Sequence, residues 1–166
     1  MEQAQTLAAE TVAKLLPSAL PGVSDEAWTQ FVAAMVTSTV AAVSASNALG
    51  MFELTPRRLA DFGLVQKLVR TRSPAGRSIW VAVFTPPLTC DTFLRSPTLQ
   101  YRTFCKSIRD YAHRLENREI EPVEGMSLSG TLAILHKCGP SGLKTWGSSE
   151  RFPSTVAAFE RADGVF

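Results

Sequence analysis

Apolar positions recur at helical spacing along most of the chain, interrupted by clusters of Gly, Pro and Ser that mark where each segment stops. Residues 3–16 place Leu7, Val12, Leu15 and Leu16 near one face before Pro17 and the Pro21-Gly22 pair, which predicts a first helix and a linker over residues 1–22. Ser24 then stands as an N-cap, with Asp25 and Glu26 in the first turn where the helix dipole favours negative charge. Trp28, Phe31, Val32, Met35 and Val36 follow as a more buried face. A turn is expected at Ser46-Asn47, and Pro56 opens a short helical turn ending near Gly63.

Between residues 67 and 84 the period changes. The run KLVRTRSPAGRSIWVAVF has β-branched and aromatic residues on both sides of Ser73-Pro74-Ala75-Gly76, which predicts a short hairpin bent at that group. An isolated hairpin is marginal in water, so Ile79, Trp80 and Phe84 are expected to pack it on helices, leaving Arg70, Arg72 and Arg77 in solvent. The clearest helix comes next: Ser96 caps it, Pro97 takes the first helical position, and Tyr101, Phe104, Cys105, Ile108, Tyr111, Ala112 and Leu115 recur at three and four. Beyond Pro122 and Gly125, Ser127 or Ser129 caps a helix through Leu132, Ala133, Leu135 and His136 that Gly139-Pro140 stops. A short helix over 141–146 follows, then a last one opened by Pro153, with Val156 and Phe159 inward. The pattern predicts a mainly α protein, α+β through one small β-hairpin, with one globular domain over residues 23–166.

Composition narrows the function classes. With 166 residues, 45% hydrophobic and 19% charged, the chain suits one compact domain and is not a disordered tail. A net charge of +2 is too small for binding to nucleic acid or membrane by bulk charge, so a nucleic-acid partner is not expected. The charge is uneven, however: residues 57–118 hold twelve basic and four acidic residues, whereas 1–56 hold one Lys and five acids. The polar face of the long helix, Arg102, Lys106, Arg109, Asp110, His113 and Arg114, reads as a solvated surface. Cys90, Cys105 and Cys138 form an odd set with no close pair, which fits buried small side chains better than a disulfide framework. Cys90, Cys105 and His113 are a remote metal set, and no metal or cofactor is expected. The first residues lack the features of a secretory signal. The uncharged stretch Ala27–Phe52 is long enough to span a bilayer, but Ser44-Ala45-Ser46-Asn47 inside it would leave backbone groups unpaired in lipid, so no membrane span is expected.

Three blocks carry a family resemblance. Ala42–Pro56, AVSASNALGMFELTP, resembles the lytic-transglycosylase pattern in which a Ser, a small turn and Gly-Leu-Met-Gln precede a Leu and a Pro, with Glu53 where that family carries Gln. Leu132–Trp146, LAILHKCGPSGLKTW, is similar to its Ala-Ala-Tyr-Asn-Ala-Gly-Pro segment, and Arg151–Arg161, RFPSTVAAFER, to its closing Phe-Pro-Glu-Thr helix. Phe93–Leu115, with its Ser-Pro-x-x-Gln start, and His136 in place of Tyr resemble phage-type members. The resemblance implies a lysozyme-like fold and a peptidoglycan glycan strand or neighbouring virion proteins as partners. It implies a place in a phage virion, or in the host cytoplasm before assembly. Ser44, Asn47, Gly50, Met51 and His136 are the substrate-binding positions it implies.

One departure decides the chemistry. By the family's spacing the catalytic Glu-Ser pair falls at Met35 and Val36, and no carboxylate occurs between Glu26 and Glu53. That glutamate protonates the glycosidic oxygen and then removes a hydroxyl proton to close an anhydro ring; a thioether transfers no protons. The expectation is a degenerate domain kept for structure or binding in a phage particle or tail-like assembly. The alternative is an active lytic transglycosylase or muramidase with Glu53 as its catalytic acid and base, its pKa raised by burial. Without such a role, Glu53 would cap the turn or pair with Arg57 or Arg58.

Overall fold

The computed structural model describes residues 17–146 and 153–166. The helix expected over residues 3–16 lies outside them. The elements run α1 (Asp25–Met35), α2 (Pro56–Asp61), β1 (Val65–Arg72), β2 (Ser78–Phe84), α3 (Cys90–Leu94), α4 (Pro97–Glu116), α5 (Leu128–Lys144) and α6 (Pro153–Ala162). The protein is mainly α, and the strands among the described residues form one two-stranded antiparallel sheet. The chain divides into two compact units, Ser38–Phe104 on the one hand and the segments up to Thr37 and from Cys105 to Phe166 on the other. No helix among the described residues is long and apolar enough to cross a membrane. The uncharged stretch instead ends its helix at Met35 and enters a series of turns.

In the discontinuous unit, the Ser24 hydroxyl accepts from Ala27 N at 3.2 Å to start α1, as the sequence predicts. Trp28, Phe31, Val32 and Met35 are buried along its inner face, and Phe31 meets Phe166 edge-on at 5.2 Å. Arg161 of α6 donates from Nη2 to Ala34 O at 3.1 Å, satisfying a carbonyl in the last turn of α1 that the helix itself leaves open. Ser127, not Ser129, caps α5, accepting from Gly130 N at 3.0 Å. The same hydroxyl accepts from Gly164 N at 2.8 Å, and Ser129 Oγ donates to Phe166 O, so the final residues are laced to the start of α5. Gly139, at φ 69°, breaks the helical backbone within α5 where Gly139-Pro140 was expected to stop the helix, and a second short helical segment follows to Lys144, close to the one expected over 141–146. Along α6, Ala158 and Ala162 are fully buried, whereas Val156 and Phe159 are half-buried.

In the unit Ser38–Phe104, Thr55 caps α2 from the residue before Pro56, and Phe52 stacks on Phe104 with centroids 4.2 Å apart. Helix α3 escaped the sequence pattern: Thr89 and Thr92 bond reciprocally as a capping box that starts a five-residue helix. Its Phe93 is fully buried and packs on Phe84 at 5.6 Å. The hairpin turn falls at Ser73–Gly76 as expected, but its strands run longer, and its burial corrects the expectation that Ile79 and Trp80 anchor it. Only Val65 and Phe84 at its root are buried. Toward the tip, Arg70, Arg72 and Arg77 are exposed and Trp80 is half-exposed beneath Arg57.

The deepest polar group in this unit is Gln100, with 0% exposure, in the first turns of α4. Its Oε1 accepts from Met51 N at 3.0 Å, and its Nε2 donates to Val40 O at 2.9 Å, Phe93 O at 3.1 Å and Leu94 O at 3.3 Å. Gly50 lies against it: a Cβ there would sit 2.2 Å from Gln100 Oε1, on a backbone with φ +74°. Gly50→Ala therefore combines left-handed strain with overpacking and should destabilise the protein by about 3 kcal/mol in urea unfolding. Gln100→Glu keeps the size but turns a carboxylate oxygen toward three carbonyls, and should cost more than Gly50→Ala at neutral pH. A urea midpoint unchanged in either variant would show that this amide does not hold the turn.

Candidate functional site

The Ala42–Pro56 block folds as two successive tight turns. Val43 bridges Leu49, and Leu49 bridges Leu54, with Leu49 and Leu54 exchanging N–H···O bonds of 2.9 Å. Ser44 N donates to Ala48 O at 2.9 Å, and its hydroxyl accepts from Ala48 N at 3.0 Å. Asn47 takes a left-handed backbone, φ 66°, which Asn tolerates better than most residues, and its Nδ2 donates to Trp80 O at 3.0 Å. Thus Ser44 closes the first turn and Asn47 ties it to β2. Two of the five positions that the family likeness assigns to substrate therefore make structural bonds.

In the second turn Gly50 and Met51 are buried, Met51 with its N–H on Gln100. Glu53 is half-exposed at φ 50°, and its N–H donates to Gly50 O at 3.0 Å. Five of the six candidate positions, Ser44, Asn47, Gly50, Met51 and Glu53, therefore share one compact pair of turns. The sixth, His136, belongs to the other unit, where it is buried in α5. Arg58 bonds Asp61 at 3.3 Å and lies over the Phe62 ring, and Arg57 lies over Trp80.

Met35 has 0% exposure at the C-terminal end of α1, and Val36, half-buried, caps the helix. The position to which the family resemblance would assign a proton donor is thus part of a hydrophobic core. Among the described residues, no group of three or more His, Cys, Asp or Glu could hold a metal ion. The three thiols differ: Cys105 is buried and Cys138 half-buried, whereas Cys90 is exposed, against the expectation of three buried side chains. The Cys90 sulfur is nonetheless partly shielded, and this desolvation, followed by the neighbouring Asp91 carboxylate, raises its pKa above the ordinary thiol value.

The sequence presented Gln100 only as the end of the Ser-Pro-x-x-Gln start and Arg57 only as a candidate partner of Glu53, neither in the contacts it makes. The signal for Gln100 was a polar residue in phase with the apolar stripe of α4, four positions before Phe104. Arg57 had none, because its contact with Trp80 spans the α2–β2 connection. The chain matches no family model, no curated protein and no solved structure in the comparisons made with each.

Two outcomes follow from this geometry. Met35→Glu buries an unpaired carboxylate and should destabilise the protein by about 3–5 kcal/mol at neutral pH. Because burial raises the pKa of that new carboxyl, part of the loss should return as pH falls through the raised value, visible as a rising urea midpoint. Cys90 should react with iodoacetamide more slowly than a free thiol at mildly alkaline pH, since less of it is thiolate, and Asp91→Asn should speed it. Alkylation at the free-thiol rate would contradict the shielding.

Proposed function

We propose that the chain is a lysozyme-like domain, similar to lytic transglycosylase domains of phage or phage-derived proteins, that keeps the scaffold without the proton-transfer chemistry. In this role it serves as a structural or binding component of a phage particle or tail-like assembly, with neighbouring virion proteins or a peptidoglycan strand as partners. The observation that carries the proposal is Met35: where the likeness requires a carboxylic acid, the side chain is an apolar one with 0% exposure. Supporting it, groups of the turn block that resembles the family make structural bonds, with Ser44 Oγ accepting from Ala48 N at 3.0 Å and Met51 N donating to Gln100 Oε1 at 3.0 Å.

One feature favours a second reading, an active muramidase or lytic transglycosylase using Glu53. This residue holds a left-handed backbone, φ 50°, in a turn fixed by buried bonds, and such strain concentrates at functional positions. A cell-wall turbidity assay separates the two. The full chain should clear a peptidoglycan suspension no faster than buffer between about pH 5 and 8, the range in which a carboxyl acid and base would act. Clearing that Glu53→Gln abolishes would replace the first proposal with the second.

A further inference from the structure

The hairpin concentrates positive charge without counter-charge. No carboxylate occurs between Asp61 and Asp91, while Lys67, Arg70, Arg72 and Arg77 lie on β1 and the turn and are all exposed. Elsewhere in the unit Ser38–Phe104, two arginines pair with carboxylates, Arg58 with Asp61 at 3.3 Å and Arg95 with Asp91 at 3.0 Å. Among the described residues, Arg57, Lys67, Arg70, Arg72 and Arg77 meet no carboxylate.

The strand register gives this charge a shape. Arg70 stands directly opposite Trp80, and Arg72 opposite Ser78, so both guanidinium groups leave the sheet on the face that carries the indole. Arg70 Cζ lies 5.7 Å from the Trp80 centroid, and Arg57 of α2 brings a second guanidinium to 5.1 Å from the same ring. Two like charges on one indole repel each other, and each gains only a modest cation–π attraction. An anion bridging them would remove the repulsion and leave the attraction. Along β1, residues two apart are spaced by about 7 Å, so the cations form a row and not a point. Asn47 bonds the Trp80 carbonyl at 3.0 Å and holds this face against the turn below.

We propose that the face formed by Arg57, Arg70, Arg72 and Trp80 binds single-stranded nucleic acid, the guanidinium groups taking phosphates and the half-exposed indole stacking on an unpaired base. A row of cations interleaved with an aromatic ring matches an extended phosphodiester chain whose bases are free to stack. Charged side chains on an exposed hairpin also guard its edges against pairing with other strands, but edge protection needs neither the shared indole nor a second helix contributing Arg57. The inference is independent of the function proposed above.

The test is fluorescence anisotropy of a labelled twenty-nucleotide oligothymidylate titrated with the full chain over a range of sodium chloride concentrations. Binding should weaken with salt with a log–log slope of about −2, as expected for the three guanidinium groups of this face each neutralising one phosphate of a single strand. Arg70→Ser with Arg72→Ser should flatten that slope by about 1.4. Trp80→Leu should weaken binding roughly tenfold by removing the stack. Arg95→Ser, which removes a paired cation, should change neither, and circular dichroism checks that each variant is folded. Absence of binding at the lowest salt, equal affinity for a duplex of the same length, or a folded Trp80→Leu variant that binds like the parent would each overturn the proposal. If Trp80→Leu does not fold, the arginine pair decides: an unchanged slope overturns it.

Discussion

A single buried amide organises the unit Ser38–Phe104. Gln100 is held by four main-chain partners drawn from the chain before the paired turns, the second turn itself and the end of α3. An amide in such a place has one acceptor and two donor hydrogens to satisfy, and leaving any unsatisfied costs more than the bond returns. Segments distant in sequence must therefore arrive together for the side chain to be tolerated at all. Gly50 is the complementary constraint, because only a residue without Cβ lets the turn approach the amide oxygen so closely.

Much of the fold was legible in the sequence wherever the determinant was local. Ser24, Ser96 and Ser127 begin helices by accepting from a backbone N–H three residues on, Pro56 and Pro97 take first helical positions, and Gly139 interrupts α5. These signals lie within a few residues of what they control. Helix α3 was not legible, because its capping box is built from two threonines and its apolar content reduces to Phe93 and Leu94. The exposure of the hairpin was misjudged for a related reason: alternating β-branched residues predict a strand but do not say what covers it. Val69 and Val83, 39% and 36% exposed, lie on its uncovered length.

Of the candidate positions, the sequence conveyed that five lie close along the chain, but not what each side chain bonds. The block around Gly50 does form a compact, highly bonded feature, yet Ser44 and Asn47 have backbone partners that spacing alone could not reveal. Met35 illustrates the opposite case. Its place in an apolar period already pointed inward, and its complete burial follows from the same arithmetic that predicts α1.

The three tryptophans occupy contrasting surroundings: Trp28 and Trp146 are buried, whereas Trp80 stands half-exposed beside two guanidinium groups. Collisional quenchers in the solvent therefore sample one indole far more than the other two. Iodide is drawn toward this ring by its cationic neighbours while caesium is repelled, so the ratio of their quenching constants is an intrinsic optical gauge of the local potential at the hairpin.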